Sequence, residues 1–255
     1  MSNFIKMKEL KLLSLVVPAY KQEKTIIADI KNLEKTLSPF SYKHEIIVVV
    51  DGFLDKTFEK ARTIKNKNVR VIGYEKNQGK GYAVRCGILK ACGDIVGFID
   101  AGMDLDPSEI SVALDLMKWK NADIIVGSKL HPDSKVNYPI GRKILSWGYR
   151  NLTHMLFGFN IKDTQVGLKL FKRKVAKDVF SRIIVKKFAF DIEVLTVAYA
   201  LGYKKIYEAP IKLNFKGITS ITNANFWIII LWMLWDTAAV FYRLKILRYY
   251  DRIVK

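Results

Sequence analysis

Short apolar segments recur along the first half of the chain, and each is followed by a segment with helical periodicity. The apolar segments are residues 12–17, 45–50, 69–73, 95–99 and 122–128. Such short runs of β-prone residues, without a polar face, are typical of strands buried on both sides of a parallel sheet. Strands that alternate with helices over short links predict an α/β fold with a mostly parallel, doubly wound sheet flanked by helices.

Acidic residues stand where two of these predicted strands end. Asp51 follows residues 45–50, and Asp100 follows residues 95–99. Ligands of open α/β sheets bind beyond the carboxyl ends of the strands, so both carboxylates are expected to face one crevice. Asp104 is close enough in the chain to hold Mg²⁺ together with Asp100 and substrate phosphates. The alternative is a solvated acid at a strand end that carries no chemistry.

The segment from Asp106 to Glu109 predicts the start of a helix. Asp106 is the expected N-cap, Pro107 suits the first helical position, and Glu109 has the spacing of a capping box. We therefore assign Asp106 a structural role.

Another helix is predicted to begin in a glycine-rich segment, where Lys80 lies between Gly79 and Gly81. Free backbone N–H groups and the helix dipole favour anions at such a start, so the segment is a candidate phosphate cradle. It matches neither a Walker A loop nor a dinucleotide-binding motif. A tight turn without a ligand is the alternative.

The charge of the chain limits the classes of partner. The 255 residues carry a formal net charge of +19, which predicts attraction to nucleic acid, anionic lipid or phosphorylated substrates. The sequence has no RNP, helix-turn-helix or zinc pattern, so nucleic acid is not an expected partner.

The second half of the chain continues the α/β pattern less regularly. A polar turn at residues 163–167 leads into a strand-like segment, and residues 190–201 predict a helix. The strand predicted at 205–214 contains Pro210, which cannot donate to a neighbouring strand, so we expect this strand at a sheet edge.

The C-terminal segment predicts an apolar helix followed by a basic tail. Residues 226–242 are apolar apart from Asp236 and Thr237. Such a helix reaches about 25 Å, less than the ~30 Å hydrocarbon core, so we expect it to lie in an anionic membrane interface. Packing on the domain, or on a second subunit of a homo-oligomer, is the alternative. We divide the chain into a globular domain, 1–222, and this membrane-associating segment, 223–255.

Several motifs resemble, in order and spacing, those of family 2 glycosyltransferases with the GT-A fold, in particular the polyprenyl-phosphate hexosyltransferase branch. They are VVPAY at 16–20, VVDG at 49–52, NQGKGYAVRCG at 77–87, DAGMD at 100–104, DTQVGLKLF at 163–171 and FDIE at 190–193. The resemblance covers residues 12–220. It implies a GT-A fold and transfer of a hexose from a nucleotide sugar.

The resemblance also implies roles for residues at matching positions. Contacts to the nucleotide sugar are implied for Pro18, Tyr20, Gln22, Val49, Asp51, Lys80, Asp100 and Ala101, with the Asp51 carboxylate accepting from the base. Cations around the diphosphate and the acceptor phosphate are implied at Lys129, Arg142 and Lys216. A Mg²⁺ or Mn²⁺ ion is implied at Asp100, with Asp104 as its second ligand because Gly102 replaces the usual second acid. Val50 and Gln22 replace two further acids of the family pattern.

The reaction implied by this resemblance takes place at the cytoplasmic face of a membrane, to which the protein attaches peripherally. A nucleotide-sugar donor, of the UDP-glucose or GDP-mannose type, gives its hexose to a polyprenyl or dolichyl phosphate with inversion. Asp100, Asp104 and Arg142 are the implied catalytic residues.

Two alternatives remain at this point. If the acceptor were a glycan hydroxyl, a carboxylate would have to take its proton, and Asp191 is the candidate base; otherwise Asp191 is a helix N-cap. The alternative of another class is a catalytically weak module that binds a membrane surface or a polyanion.

Overall fold

The computed structural model describes residues 10–102, 105–136, 140–187, 189–213 and 226–251, apart from the side chains of residues 140–146, 226, 227 and 229. The strands in these ranges are β1 (Leu12–Ala19), β2 (Lys43–Asp51), β3 (Val69–Tyr74), β4 (Ile95–Ile99), β5 (Ile124–Ser128), β6 (Lys135–Val136), β7 (Leu168–Lys172), β8 (Ile206–Pro210) and β9 (Lys212–Leu213). The helices are α1 (Ile26–Leu37), α2 (Thr57–Arg62), α3 (Lys80–Lys90), α4 (Glu109–Lys120), α5 (Ile140–Phe157), α6 (Arg173–Phe180), α7 (Phe190–Ala200) and α8 (Phe226–Lys245).

A mostly parallel sheet forms the centre of the fold, in the order β3-β2-β1-β4-β7-β5-β8. The pairs β1–β2, β2–β3, β1–β4 and β5–β8 are parallel. This confirms the predicted α/β class. The expected edge position of the strand with Pro210 is also confirmed, since β8 is the last strand of the sheet.

One strand breaks the parallel order. β7 lies between β4 and β5 and is antiparallel to both. The sequence predicts the strand but not its partners, because local apolar pattern specifies an extended segment and not where it inserts. As a result, residues 163–167, which precede β7, lie at the same sheet edge as Asp100, which follows β4.

Two apolar layers cover the faces of the sheet. On one face Val16, Phe98 and Phe171 pack with residues of α3, α6 and α7. On the other face Leu15 and Leu170 pack with residues of α1 and α4. Because both of its faces are covered, β4 is wholly apolar, and the first polar group after it is the Asp100 carboxylate.

The start of α4 corrects part of the sequence prediction. The N-cap of α4 is Ser108 and not Asp106, whose carboxylate accepts the Ser108 N–H at 2.9 Å in the turn before the helix. The capping box is also wrong, because the Asp106 N–H donates to the Lys212 carbonyl. The Glu109 carboxylate lies instead 3.5 Å from Lys212 Nζ.

Helix α8 packs on the domain along one face and is exposed along another. The Tyr149 and Thr237 hydroxyls are 2.9 Å apart, the rings of Phe157 and Phe241 lie 6.4 Å apart, and Val240 is fully buried. In contrast, Trp235 is 70% exposed. None of the helices among the described residues combines the length and the hydropathy that a membrane-spanning segment requires. The predicted domain boundary near residue 222 lies outside the described residues.

Candidate active site

Asp100 stands at the carboxyl end of β4 and opens into the crevice, with its side chain 39% exposed. Its N–H donates to the Gly167 carbonyl at 3.0 Å, which ties it to the loop before β7. A Cβ atom at position 167 would lie 2.0 Å from Asp100 Oδ2. The absence of a side chain at Gly167 therefore makes room for the Asp100 carboxylate.

Lys80 is the direct partner of Asp100. Its Nζ atom lies 2.6 Å from Oδ1 and 2.8 Å from Oδ2 of the carboxylate. Lys80 is placed there by Gly79, whose φ of +101° turns the chain into α3. Burial lowers the pKa of Lys80, but the charges of Asp100 and Asp191 raise it more, and the net direction is upward. The ammonium group is therefore held in its charged form at the crevice.

A second ion pair lies deeper, between Lys169 of β7 and Asp191 of α7. Both side chains are buried, with 0% of Lys169 and 5% of Asp191 exposed, and the ammonium donates directly to the carboxylate. Lys169 Nζ also donates to the Val166 carbonyl at 2.8 Å and lies 5.2 Å from the centre of the Phe98 ring. Burial lowers the pKa of Lys169 and raises that of Asp191.

The structure does not support the N-cap role for Asp191. The residue that caps α7 is Ala189, and Asp191 lies within the first turn, where the helix dipole favours a carboxylate. The general-base role is not tested by this geometry. A base at this position would have to compete with Lys169 for its carboxylate.

Lys169 is the site residue that sequence reasoning missed. A signal was present, because a lysine between Leu168 and Leu170 interrupts an apolar strand that is buried on both faces. Buried lysines are rare unless they are paired. Lys169 and Asp191 form one ion pair of the site, and Lys80 and Asp100 form the other.

Asp51 has a structural role in addition to the contact with a nucleotide base, which stays a prediction. Its carboxylate is 3% exposed, and protein groups donate to both of its oxygens. Oδ1 accepts from the Tyr74 hydroxyl at 2.8 Å and the Gln78 N–H at 2.7 Å, and Oδ2 accepts from Asn77 Nδ2 at 2.7 Å and the Gly79 N–H at 2.9 Å. Asp51 thus holds the glycine turn that presents Lys80.

The other residues with implied nucleotide contacts differ in accessibility. The Val49 side chain is fully buried in the core, and a contact of this residue with the donor also stays a prediction. Tyr20 is 47% exposed at the sheet edge. Pro18, Gln22 and Ala101 are partly buried, and the Gln22 amide lies 3.8 Å from where a Gly102 Cβ atom would be. Contacts of these four residues with a donor stay predictions.

Of the three predicted phosphate contacts, Lys129 is the one whose side chain the structure describes. Lys129 Nζ lies 3.2 Å from an oxygen of Asp163, and its N–H donates to the same oxygen. Arg142 belongs to α5, but its side chain is outside the described residues. Asp104 and Lys216 are also outside them. Their roles as metal ligand and phosphate contacts stay predictions.

Of the two predicted metal ligands, Asp100 lies among the described residues and Asp104 does not. Asp100 is a half-exposed carboxylate with a hard oxygen donor set, but no group of three or more His, Cys, Asp and Glu residues in the described ranges could hold a metal. Mg²⁺ is commonly bound by one or two carboxylates and completed by substrate phosphates. The donor chemistry at Asp100 therefore fits a metal whose remaining ligands come from Asp104 and a diphosphate.

Comparisons with known proteins point to one family. The profile of glycosyl transferase family 2 matches residues 14–180. A dolichyl-phosphate beta-glucosyltransferase from Homo sapiens is 33% identical over 256 residues, covering 93% of this chain and 76% of that protein. One from Trichomonas vaginalis is 35% identical over 216 residues, covering 79% of this chain and 65% of that protein.

A solved structure shows the same fold. Glucosyl-3-phosphoglycerate synthase from Mycobacterium tuberculosis, in complex with Mn²⁺, UDP and glucosyl-3-phosphoglycerate, aligns with a TM-score of 0.64 at 20% identity. The alignment covers 91% of this chain and 79% of that chain. The predicted GT-A fold is thereby confirmed.

A mostly parallel sheet with acids at its carboxyl edge, together with a profile match over residues 14–180, defines the class of protein as a glycosyltransferase. The chain belongs to glycosyl transferase family 2, and it is a glycosyltransferase. The sequence prediction of the family is confirmed.

Proposed function

We propose that this glycosyltransferase moves glucose from UDP-glucose to a polyprenyl phosphate of the dolichyl type, with inversion at the anomeric carbon. A phosphate oxygen of the acceptor forms the new bond to the anomeric carbon. The bond from that carbon to the donor diphosphate breaks, and its electron pair leaves with UDP. No proton has to be removed, because the attacking phosphate oxygen is already anionic near neutral pH.

The observation that carries this proposal is the state of Asp191. A hydroxyl acceptor needs a base that is free to take a proton. The Asp191 carboxylate is instead buried and already paired with Lys169. An anionic acceptor has the opposite need, which is positive charge near the diphosphate, and Lys80 supplies it at the crevice. The dolichyl-phosphate relatives support the same acceptor class.

The residues of the chain divide the remaining tasks. Lys80 offsets negative charge that collects on the leaving diphosphate, and Asp51 keeps its turn in place. Arg142 and Lys216 are the proposed contacts of the acceptor phosphate. A Mg²⁺ or Mn²⁺ ion would be held by Asp100 and Asp104 and, when bound, would neutralise charge on the diphosphate.

The donor and acceptor can be tested together. The purified chain is incubated with UDP-glucose or GDP-mannose and either a short polyprenyl phosphate or the matching polyprenol, which lacks only the phosphate. We expect a glycolipid from UDP-glucose with the phosphate alone, and we expect Asp100→Asn to abolish it. Transfer to the polyprenol that Asp191→Asn abolishes would establish the hydroxyl mechanism instead.

The proposed lipid acceptor requires the enzyme to reach a membrane, and α8 offers a surface for this. Leu231, Trp232 and Trp235 are 66%, 59% and 70% exposed on α8, and Arg243, Lys245 and Arg248 follow them in the chain. Exposed apolar and aromatic side chains beside basic residues favour an anionic interface. We therefore propose that the enzyme attaches peripherally to its membrane through α8, and we propose the cytoplasmic face on the resemblance alone.

Vesicle flotation tests the membrane surface with a matched control. Trp235→Glu should lower binding to anionic vesicles by about tenfold, because it puts a charge into the proposed apolar contact. Trp119→Glu is the control, since Trp119 is 74% exposed but lies on α4. The assignment to α8 would be contradicted if both variants lost binding equally, or if neither variant lost binding.

A further inference from the structure

The C-terminal end of the described chain is anchored by one buried tyrosine. Tyr250 is fully buried, although its neighbour Tyr249 is 38% exposed. The Tyr250 hydroxyl donates to Glu193 Oε1 at 2.5 Å and accepts from Arg243 Nε at 3.0 Å. Its carbonyl accepts from Arg182 Nε at 3.2 Å. The residues after α8 are thus fixed to the body of the domain.

Glu193 connects this anchor to a second segment. It is fully buried on α7, and its other oxygen, Oε2, accepts the N–H groups of Ile184 and Val185 at 3.0 and 2.8 Å. The guanidinium of Arg243 lies 3.6 Å from Oε1. One carboxylate therefore joins the C-terminal turn, α8 and the segment 183–187, and the proposed chemistry has no use for this group.

The segment 183–187 lies against the glycine turn that carries Lys80. The Lys186 carbonyl accepts the Tyr82 N–H at 3.3 Å, and Lys186 Nζ donates to Gln78 Oε1 at 3.0 Å. The fit is close, because a Cβ atom on Gly79 would lie 2.5 Å from the Lys186 carbonyl oxygen. A Cβ atom on Gly81 would lie 2.7 Å from the Val185 carbonyl oxygen. The segment therefore forms one wall of the turn.

These contacts form a continuous series from the C-terminus to the crevice. Tyr250 orients the Glu193 carboxylate, the carboxylate holds residues 184 and 185, and the segment 183–187 holds the turn from which Lys80 reaches Asp100. We propose that Tyr250 and Glu193 are positioning residues for the donor diphosphate, acting through segment 183–187 on the glycine turn. The inference rests on the proposed function in one respect, namely that Lys80 meets a diphosphate.

The test compares two neighbouring tyrosines. Tyr250→Phe keeps the buried ring and removes the hydroxyl that donates to Glu193. Tyr249→Phe removes a hydroxyl from a partly exposed residue next to it and serves as the matched control. Each full-length variant is titrated with UDP in the presence of Mn²⁺, and KM and kcat are measured with UDP-glucose.

We expect Tyr250→Phe to raise the Kd for UDP and the KM for the donor about five- to tenfold, with kcat within about twofold of the control. The loss of one charge-assisted hydrogen bond is large enough to produce a change of this size. Amide hydrogen exchange should also become faster at Ile184, Val185 and Tyr82, and not elsewhere in the core. A loss of general stability alone would not produce this pattern.

Two results would overturn the inference. The first is a Kd and a donor KM within about twofold of the Tyr249→Phe values, even if the variant melts at a lower temperature. The second is unchanged exchange at Val185 and Tyr82. If the unmodified enzyme itself binds no nucleoside diphosphate, the proposed function fails, whereas equal binding by enzyme and variant defeats only the positioning role.

Discussion

Replacement of Lys169 by methionine should reveal how strongly the buried ion pair depends on both partners. Methionine is similar in length and can fill the space, but it leaves the Asp191 carboxylate buried without the cation that donates to it. Removal of one partner from a buried pair typically costs about 3–5 kcal/mol. For a chain of this size, each kcal/mol lowers the melting temperature by roughly 2–4 °C, so we expect a fall of about 6–20 °C.

The matched control is Lys172→Met on the same strand. Lys172 is 30% exposed and lies 3.3 Å from an oxygen of Asp123. A partly exposed pair of this kind contributes about 1 kcal/mol or less. The double variant Lys169→Met with Asp191→Asn should recover at least half of the lost stability, because no buried charge then remains without its partner.

The stability that Lys169→Met loses should also depend on pH. Burial already raises the pKa of Asp191, and the variant lacks the Lys169 charge that opposes this shift. The folded variant then binds a proton more readily than the unfolded chain does, so its stability is greatest at low pH and is lost as pH rises through the raised pKa. Urea unfolding should therefore show a smaller deficit near pH 5 than near pH 8.

Either of two results would contradict the dependence of stability on the buried pair. One is equal stability of Lys169→Met, Lys172→Met and the unmodified protein near neutral pH. The other is a double variant that is no more stable than Lys169→Met alone.

Two further predictions concern the crevice and its neighbourhood. Gly167→Ala should lower kcat/KM about a hundredfold, because the new Cβ atom would lie 2.0 Å from Asp100 Oδ2. Gly148→Ala is the control, since its Cβ atom meets nothing within 4 Å and should have little effect. Equal activities of the two variants would contradict this prediction. Burial raises the pKa of Asp55, but hydrogen bonds from Thr57 and Glu23 outweigh it, so the pKa is lowered. Asp55 therefore stabilises the fold above its ordinary pKa and loses this effect as pH falls through its lowered pKa. In denaturant titrations, Asp55→Asn should be destabilised near pH 7, and this loss of stability should shrink as pH falls below the ordinary pKa of the carboxyl.

Local sequence pattern was sufficient for much of this architecture. The buried strands that end at Asp51 and Asp100 are read from apolar runs, since strands covered on both faces need no polar side chains. The glycine turn before Lys80 is read in the same way, because a positive φ at Gly79 is a local requirement. Features of this kind depend on neighbours in the chain.

The features that escaped prediction depend on contacts between distant residues. The position of β7 between β4 and β5 brings Lys169 to Asp191, and no local pattern specifies that insertion. The structural role of Asp51 was not predicted, because its donors come from residues 74–79, which only the fold brings close to it. The buried partner of Tyr250 is likewise distant in the chain, since Glu193 precedes it by 57 residues.

The bond that joins glucose to the lipid distinguishes the proposed transfer from its alternatives. The purified enzyme is supplied with UDP-glucose, Mn²⁺ and a short polyprenyl phosphate, and the glycolipid is examined by phosphorus and proton NMR. We expect glucose joined through its anomeric carbon to the lipid phosphate as the β anomer, which is the inverted product. An α-linked product, glucose on a hydroxyl, or UDP-glucose that is only hydrolysed would contradict it.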